Sequence, residues 1–175
     1  GPCASYWDHS GKMTARHKPS RWQPVLLAAG AAMLVGVMGM LATDLGGWYD
    51  NLVKPPWQPP DWLFGPVWTA IYAMAAMAGI SAWRGASTRH ARTRILALFS
   101  VNAFLNVLWS LLFFRLNRPD WALVEVVFLW LSIVALIVGL RSYSRASTWW
   151  LVPYLAWVTF AGILNLAIVR LNPGL

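Results

Sequence analysis

Residues 121–140 read WALVEVVFLWLSIVALIVGL, a run in which Glu125 and Ser132 alone break an otherwise apolar string. About 20 such residues wound as a helix rise about 30 Å, the thickness of a bilayer's hydrocarbon core. A membrane strand would instead alternate polar and apolar positions over about ten residues, and no such alternation is present. Four further runs have the same character: Val25 to Thr43, Leu63 to Trp83, Ile95 to Phe114 and Trp149 to Val169. The expected fold is an all-α integral membrane protein, a bundle of five transmembrane helices.

Composition points the same way. The 175 residues are 58% hydrophobic and 11% charged, against about 45–50% and about 25% in soluble domains. The formal charge of +8 does not imply a nucleic-acid partner. A phosphate-binding stripe needs its basic residues on one folded face, and here Lys and Arg lie at the ends of the apolar runs and between them. A single cysteine, Cys3, excludes an intrachain disulfide and a cysteine-based zinc site. His9, His17 and His90 fall in the tail or a loop, so no metal or haem ligand set is expected within the spans.

Gly1-Pro2 reads as the remnant of a protease cut and Met13 as a candidate start. Residues 1–24 are therefore taken as an N-terminal tail, partly not native, ahead of a single domain over 25–175. The first apolar run follows a basic stretch, as in a signal peptide, but exceeds a signal core of about 7–15 residues and reads as a retained span. Ten Lys and Arg lie in the tail and the second and fourth loops, against four on the other side. Basic loops stay in the cytoplasm, which predicts a cytoplasmic N-terminus and a C-terminus opposite.

The loop from Asp44 to Asp61 carries Trp48, Tyr49, Trp57 and the prolines Pro55, Pro56, Pro59 and Pro60. Proline fixes φ and removes a donor, so the segment reads as a semi-rigid cover; an interfacial aromatic belt is the alternative. Within the spans, Asn102, Asn106 and Ser110 recur every four residues and share a helix face that must point into the bundle. Trp68 and Tyr72 repeat that spacing on the second span, as do Trp157, Ala161 and Asn165 on the fifth. These faces line a cavity or make interhelical hydrogen bonds. Pro153, which frees a carbonyl one turn before Trp157, and the small Ala161 favour a cavity. Glu125 is an intramembrane acid and a functional candidate, unless it reaches the interface from the start of its helix.

Three clusters resemble the tryptophan-rich sensory protein family, also called the translocator protein or peripheral benzodiazepine receptor family. The first is Trp48-Tyr49-Asp50-Asn51-Leu52 with Lys54-Pro55-Pro56-Trp57-Gln58-Pro59-Pro60 and Phe64-Gly65-Pro66-Val67-Trp68-Thr69. The second is Asn102 with Asn106, Trp109, Ser110, Phe113 and Phe114. The third is Pro153-Tyr154 with Trp157, Phe160 and Leu164-Asn165. The resemblance implies a homodimeric bacterial-type member that needs no cofactor and binds porphyrins such as protoporphyrin IX, or related flat apolar ligands. The implied cavity opens under the first loop and is lined by Tyr49, Trp68, Tyr72, Asn102, Asn106, Ser110, Trp157 and Ala161. It also implies an alternative, light-dependent degradation of protoporphyrin with Trp68 and Trp157 as the photochemical residues. Leu166 and Ala167 stand where the family's cholesterol pattern has tyrosines, so sterol binding by that route is not expected. For the dimer, Ala32, Gly36 and Gly39 or Ala97, Ser100 and Ala103 offer close backbone approach.

Overall fold

The computed structural model describes residues 22–174; the tail expected over 1–24 lies outside them as far as residue 21. Five long helices, α1 (Gln23–Ala42), α3 (Asp61–Gly85), α4 (Arg89–Ser110), α5 (Pro119–Leu140) and α6 (Arg145–Leu171), accompany the short α2 (Gly47–Asp50). There is no strand among the described residues. A π-helical turn, Leu111–Arg115, extends α4, and each of the five long helices is long and apolar enough to cross a membrane. The fold is thus the expected all-α, five-span bundle.

The helices overrun the apolar runs because capping, not hydropathy, sets their ends. Thr88 caps α4 by accepting the Ala91 amide at 3.1 Å, and Ser144 caps α6 by accepting that of Ser147 at 3.4 Å. Pro24 and Pro119 open α1 and α5, where a missing N–H costs nothing.

On α5 the buried residues Ala122, Val126, Leu129, Ile133, Leu136 and Leu140 are spaced alternately by four and three. On α6, Ser147, Leu151, Tyr154, Val158, Asn165 and Ile168 follow the same rhythm. A repeat of about 3.5 residues keeps one seam facing a partner, and the two seams pack against each other. Contacts between neighbours run α1 to α3, α3 to α6, α6 to α5, α5 to α4 and α4 back to α1, closing a ring. Outward faces carry large apolar residues, with Leu26 and Met33 on α1 more than 70% exposed, as lipid contact requires.

Lipid supplies little hydrophobic drive between helices, so association rests on close packing and hydrogen bonds. Both are present. Gly36 and Gly39 let α1 lie against Tyr72, where an added Cβ would sit 3.6 Å and 3.3 Å from its ring and hydroxyl. Two small residues considered for subunit contact thus pack within this chain. At the end of α3, Gly85 meets the backbone of Tyr143 so closely that any Cβ would overlap its carbonyl.

At the centre, the Tyr154 hydroxyl accepts from Asn106 Nδ2 at 2.8 Å and donates to Asn102 Oδ1 at 3.1 Å. Asn106 Oδ1 accepts from the Tyr72 hydroxyl at 2.9 Å, and Asn102 Nδ2 donates to Ser132 Oγ at 3.0 Å. The relay joins α3, α4, α5 and α6. Removing the phenol by Tyr154→Phe orphans a donor and an acceptor and is expected to cost about 1–3 kcal/mol. Trp130→Phe deletes an outer bond to Thr159 of 2.9 Å and is expected to cost about 0.6 kcal/mol, the average for interhelical bonds. Reversible unfolding in mixed micelles checks the ranking; a reversed order would remove the relay from the centre of the fold.

Candidate functional site

One end of the bundle is roofed by the loop between α1 and α3. Tyr49 of α2 is buried and packs its ring 5.6 Å from that of Phe114. Its hydroxyl accepts from Gln58 Nε2 at 2.7 Å and donates to Asp61 Oδ1 at 3.3 Å, while Lys54 Nζ lies 4.4 Å above its ring. Burial, and then the Asp61 carboxylate, push its phenol up to about 12, since both disfavour the anion. Trp48 meets Phe113 edge-on at 6.0 Å and Trp57 meets Phe160 at 5.9 Å. The far side of the loop is pinned by Asn172: its Oδ1 accepts the Val53 amide at 2.9 Å and its Nδ2 donates to the Val53 carbonyl at 2.8 Å. The cover reading describes this loop; its aromatic rings face the bundle.

Two further connections set the roof's height. The π-helical turn widens the end of α4 and carries Arg115, whose Nε and Nη2 donate to the Leu41 carbonyl at 3.0 Å and 2.7 Å, capping α1. Asn117 then turns the chain with a φ of 52°, a conformation that asparagine tolerates better than most residues.

Beneath the roof the rings are packed on one another. Trp157 contacts Phe64 at 5.8 Å, Trp68 at 6.2 Å and Phe160 at 5.5 Å, and Trp68 stacks on Tyr72 at 5.7 Å. Trp109 donates to Asn165 Oδ1 at 3.1 Å, and Asn165 Nδ2 donates to the Pro119 carbonyl at 2.8 Å. Five buried side-chain atoms among the described residues have no hydrogen-bond partner: Trp157 Nε1 beneath the roof, Gln58 Oε1 in it, both carboxyl oxygens of Glu125, and Thr148 Oγ1 at the start of α6. Glu125, in the second turn of α5, is buried to 6% exposure. It does not reach the interface.

An open cavity of about 270 Å³ lies elsewhere, between α1, α3 and α4. Tyr72, Asn102 and Asn106 line it, together with Tyr154, but Trp68 and Trp157 are not among its lining residues. The expected residues therefore divide between two compartments. Tyr49, Trp68 and Trp157 belong to the roofed aromatic cluster; Tyr72, Asn102 and Asn106 face the open cavity, and Tyr72 touches both. Ser110 is buried at the last turn of α4, and Ala161 is half-buried one turn beyond Trp157. Pro153 is exposed on the outer face of α6, so the carbonyl it frees does not lie at a cavity wall.

Sequence reasoning missed Tyr154 and Ser132 as members of the polar network. A tyrosine deep in an apolar span needs a partner for its hydroxyl, and Tyr154 shares the Trp157 and Ala161 face at helical spacing. That signal was available.

Fold and site together define a five-span helical membrane protein with a roofed, tryptophan-rich interior. Residues 25–171 match the TspO/MBR family, and the chain belongs to that family. It is similar to the tryptophan-rich protein TspO of Chlorobaculum tepidum, at 38% identity over 150 residues, 84% of this chain and 94% of the relative. Protein CrtK of Rhodobacter capsulatus is 39% identical over 144 residues, 82% of this chain and 89% of the relative. The human translocator protein is 34% identical over 129 residues, 73% of this chain and 76% of the relative. The protein is an integral, multi-pass membrane protein.

The roof's fastenings are testable singly. Asn172→Ala removes the bond held by the Val53 amide, worth about 1 kcal/mol, and is expected to speed hydrogen exchange at that amide about fivefold; an unchanged rate would show that the clamp does not hold the loop. For Tyr49, the folded phenol titrates above its unfolded value of 10.0. Its contribution to stability is therefore complete below pH 10 and lost as pH rises towards 12. Ultraviolet titration should show a tyrosinate step near 12 whose amplitude Tyr49→Phe lowers; a loss of amplitude near 10 in that variant instead would contradict the burial.

Proposed function

We propose that this protein is a membrane receptor or transporter for flat apolar tetrapyrroles, protoporphyrin IX foremost, taken up in the roofed aromatic interior. The observation that carries this reading is the unpartnered indole N–H of Trp157, set among packed rings. Buried polar groups are normally satisfied, yet Trp157 Nε1 and the Glu125 carboxyl have no hydrogen-bond partner in the protein. A ligand with a wide π face and a polar edge would replace ring-on-ring contacts by stacking and would engage these groups.

The open cavity alone is too small for such a ligand, since 270 Å³ is below the usual range of about 300–1,000 Å³ for drug-sized molecules. Uptake therefore parts Trp157 from Phe64 and Trp68, with the roof as the moving piece. The names of the relatives, a tryptophan-rich sensory protein of Cereibacter sphaeroides and translocator proteins of mammals, accord with a protein that takes up a ligand and passes it, or its signal, on. To the same reading belong a cytoplasmic N-terminus, from the basic loops, and a homodimer through α4, where Ala97 is exposed.

A second reading is catalytic. Trp68 and Trp157 stand edge to face at 6.2 Å, two electron-rich indoles that could donate to a photoexcited ring, with dissolved dioxygen as the terminal oxidant, so that light would consume the pigment. Binding titrations with and without illumination, followed by mass analysis of the pigment, separate the two. Trp68→Phe or Trp157→Phe keeps a flat ring and is expected to weaken binding by only about 1 kcal/mol, while light-dependent loss falls much further if the indoles donate. Equal losses would make the tryptophans pocket walls alone. Undiminished bleaching with intact binding would end the catalytic reading, and an absence of saturable binding in the dark would end the receptor reading.

A further inference from the structure

Glu125 is the one acid among the described residues that is buried within a span. Its place follows from the stripe that α5 turns towards α4. On that stripe Ser132 Oγ accepts from Asn102, and a Cβ added to Gly139 would come 2.9 Å from Leu98 Cδ1. Glu125 precedes Ser132 by seven residues as Gly139 follows it by seven, and a seven-residue step returns to the same helix face. Positions on α4 fall as those on α5 rise, so the two helices are antiparallel. Glu125 therefore stands at about the level of Trp109, seven residues on from Asn102. The Trp109 ring lies 5.3 Å from Phe113 and 6.0 Å from Phe114, which puts the carboxyl in the α5 wall of the roofed aromatic interior.

No group of the protein meets it. Both of its oxygens are buried without a hydrogen-bond partner, and the one ion pair among the described residues joins Arg118 to Asp120. Arg115 is spent on the Leu41 carbonyl, and Lys54 stands over Tyr49 in the roof. The nearby groups on neighbouring helices are neutral and already bonded. Trp109 of α4 donates to Asn165, and Tyr154 of α6, within electrostatic reach of the carboxyl, is held by both relay amides. Burying an ionised carboxylate without a counter-charge is far costlier than burying the acid. The acid offers an O–H donor and a carbonyl acceptor side by side, and both are unmet.

Resting on the tetrapyrrole reading, we propose that Glu125 is held as the neutral acid and binds, through two reciprocal hydrogen bonds, a pigment edge that carries a donor beside an acceptor. Two groups found on flat tetrapyrroles have that edge: an undissociated carboxylic acid, and the N–H and C=O of a lactam. Either one meets both oxygens of Glu125 at once and brings no net charge into the interior. An ester offers an acceptor alone and leaves the Glu125 carbonyl oxygen orphaned, and an orphaned buried group is what costs affinity. The rings supply the contact area, and Glu125 sets the choice among pigments of similar shape.

The test titrates three pigments in the dark against the protein in nanodiscs: protoporphyrin IX, which has acids; its dimethyl ester, which has neither edge; and biliverdin dimethyl ester, which has lactams alone. Glu125→Leu should weaken the acid or the lactam pigment about tenfold and leave protoporphyrin dimethyl ester within about twofold. Glu125→Gln, whose amide also carries a donor beside an acceptor, should leave all three nearly unchanged. Which pigment suffers from the leucine names the edge. Infrared difference spectra should show the carbonyl stretch of a carboxylic acid that the glutamine variant lacks and that moves to lower frequency when the affected pigment is added. That measurement decides the matter even where the leucine variant fails to fold. An absent acid band overturns the proposal, as does a leucine variant that binds all three pigments as before. A glutamine variant as impaired as the leucine one overturns it too, since charge and not the paired edge would then be read. Saturable binding persists in each of those cases; its absence with every pigment would instead end the tetrapyrrole reading and this inference with it.

Discussion

Two hydrogen bonds on one phenolic oxygen organise this molecule. Tyr154 Oη takes a proton from Asn106 and gives its own to Asn102, so a residue of α6 holds two successive turns of α4. The amides pass the constraint outward to Tyr72 on α3 and Ser132 on α5. In hydrocarbon no water competes for these groups, and their directionality fixes helix rotation where apolar packing would tolerate several. The relay also forms a partition, with the tryptophan cluster on its roof side and the alanine-lined cleft on the other.

The two sides of that partition are packed in opposite styles. Towards the roof, large rings fill the space against one another, and the unmet indole N–H of Trp157 lies among them. Away from it, small side chains on three helices leave a space whose floor is the mutually bonded set of Tyr72, Asn106, Tyr154 and Asn102. A bundle built this way presents one compartment closed by packed rings and one that is open already. Tyr72 belongs to both: its ring stacks on Trp68 and its hydroxyl holds Asn106. Displacement of Trp68 by a bound pigment would therefore be felt at the wall of the cleft.

Much of this was readable from the chain alone. Five apolar runs of bilayer length need no tertiary information, because backbone polarity in lipid leaves the helix as their only form. The four-residue recurrence of Asn102, Asn106 and Ser110 likewise fixed an inward face. What could not be read was which helices stand beside one another. The partners of those amides, Tyr154 and Ser132, become evident only once α6 and α5 flank α4 in the ring. Helix rotation was hidden for the same reason: it turns Pro153 outward, against the cavity reading, and Glu125 inward, which decides between the two readings open for it. The division of the candidate residues between two compartments depends on the relay lying between them, which no spacing along a single helix reports.

The sparse attachment of α1 bears on how the chain is made. Only Gly39 and Ala42 of that helix are buried, and it leans on α3 and α4 alone among the long helices, through residues with almost no side chain. It nevertheless leaves the ribosome before either of them. The seat it needs is the ring of Tyr72, which is held by Asn106 and, through it, by α6, the last of these five spans in chain order. The first span to enter the bilayer is therefore the one whose seat is fixed by contacts made furthest along the chain, since Tyr72 is oriented through Asn106 and Tyr154.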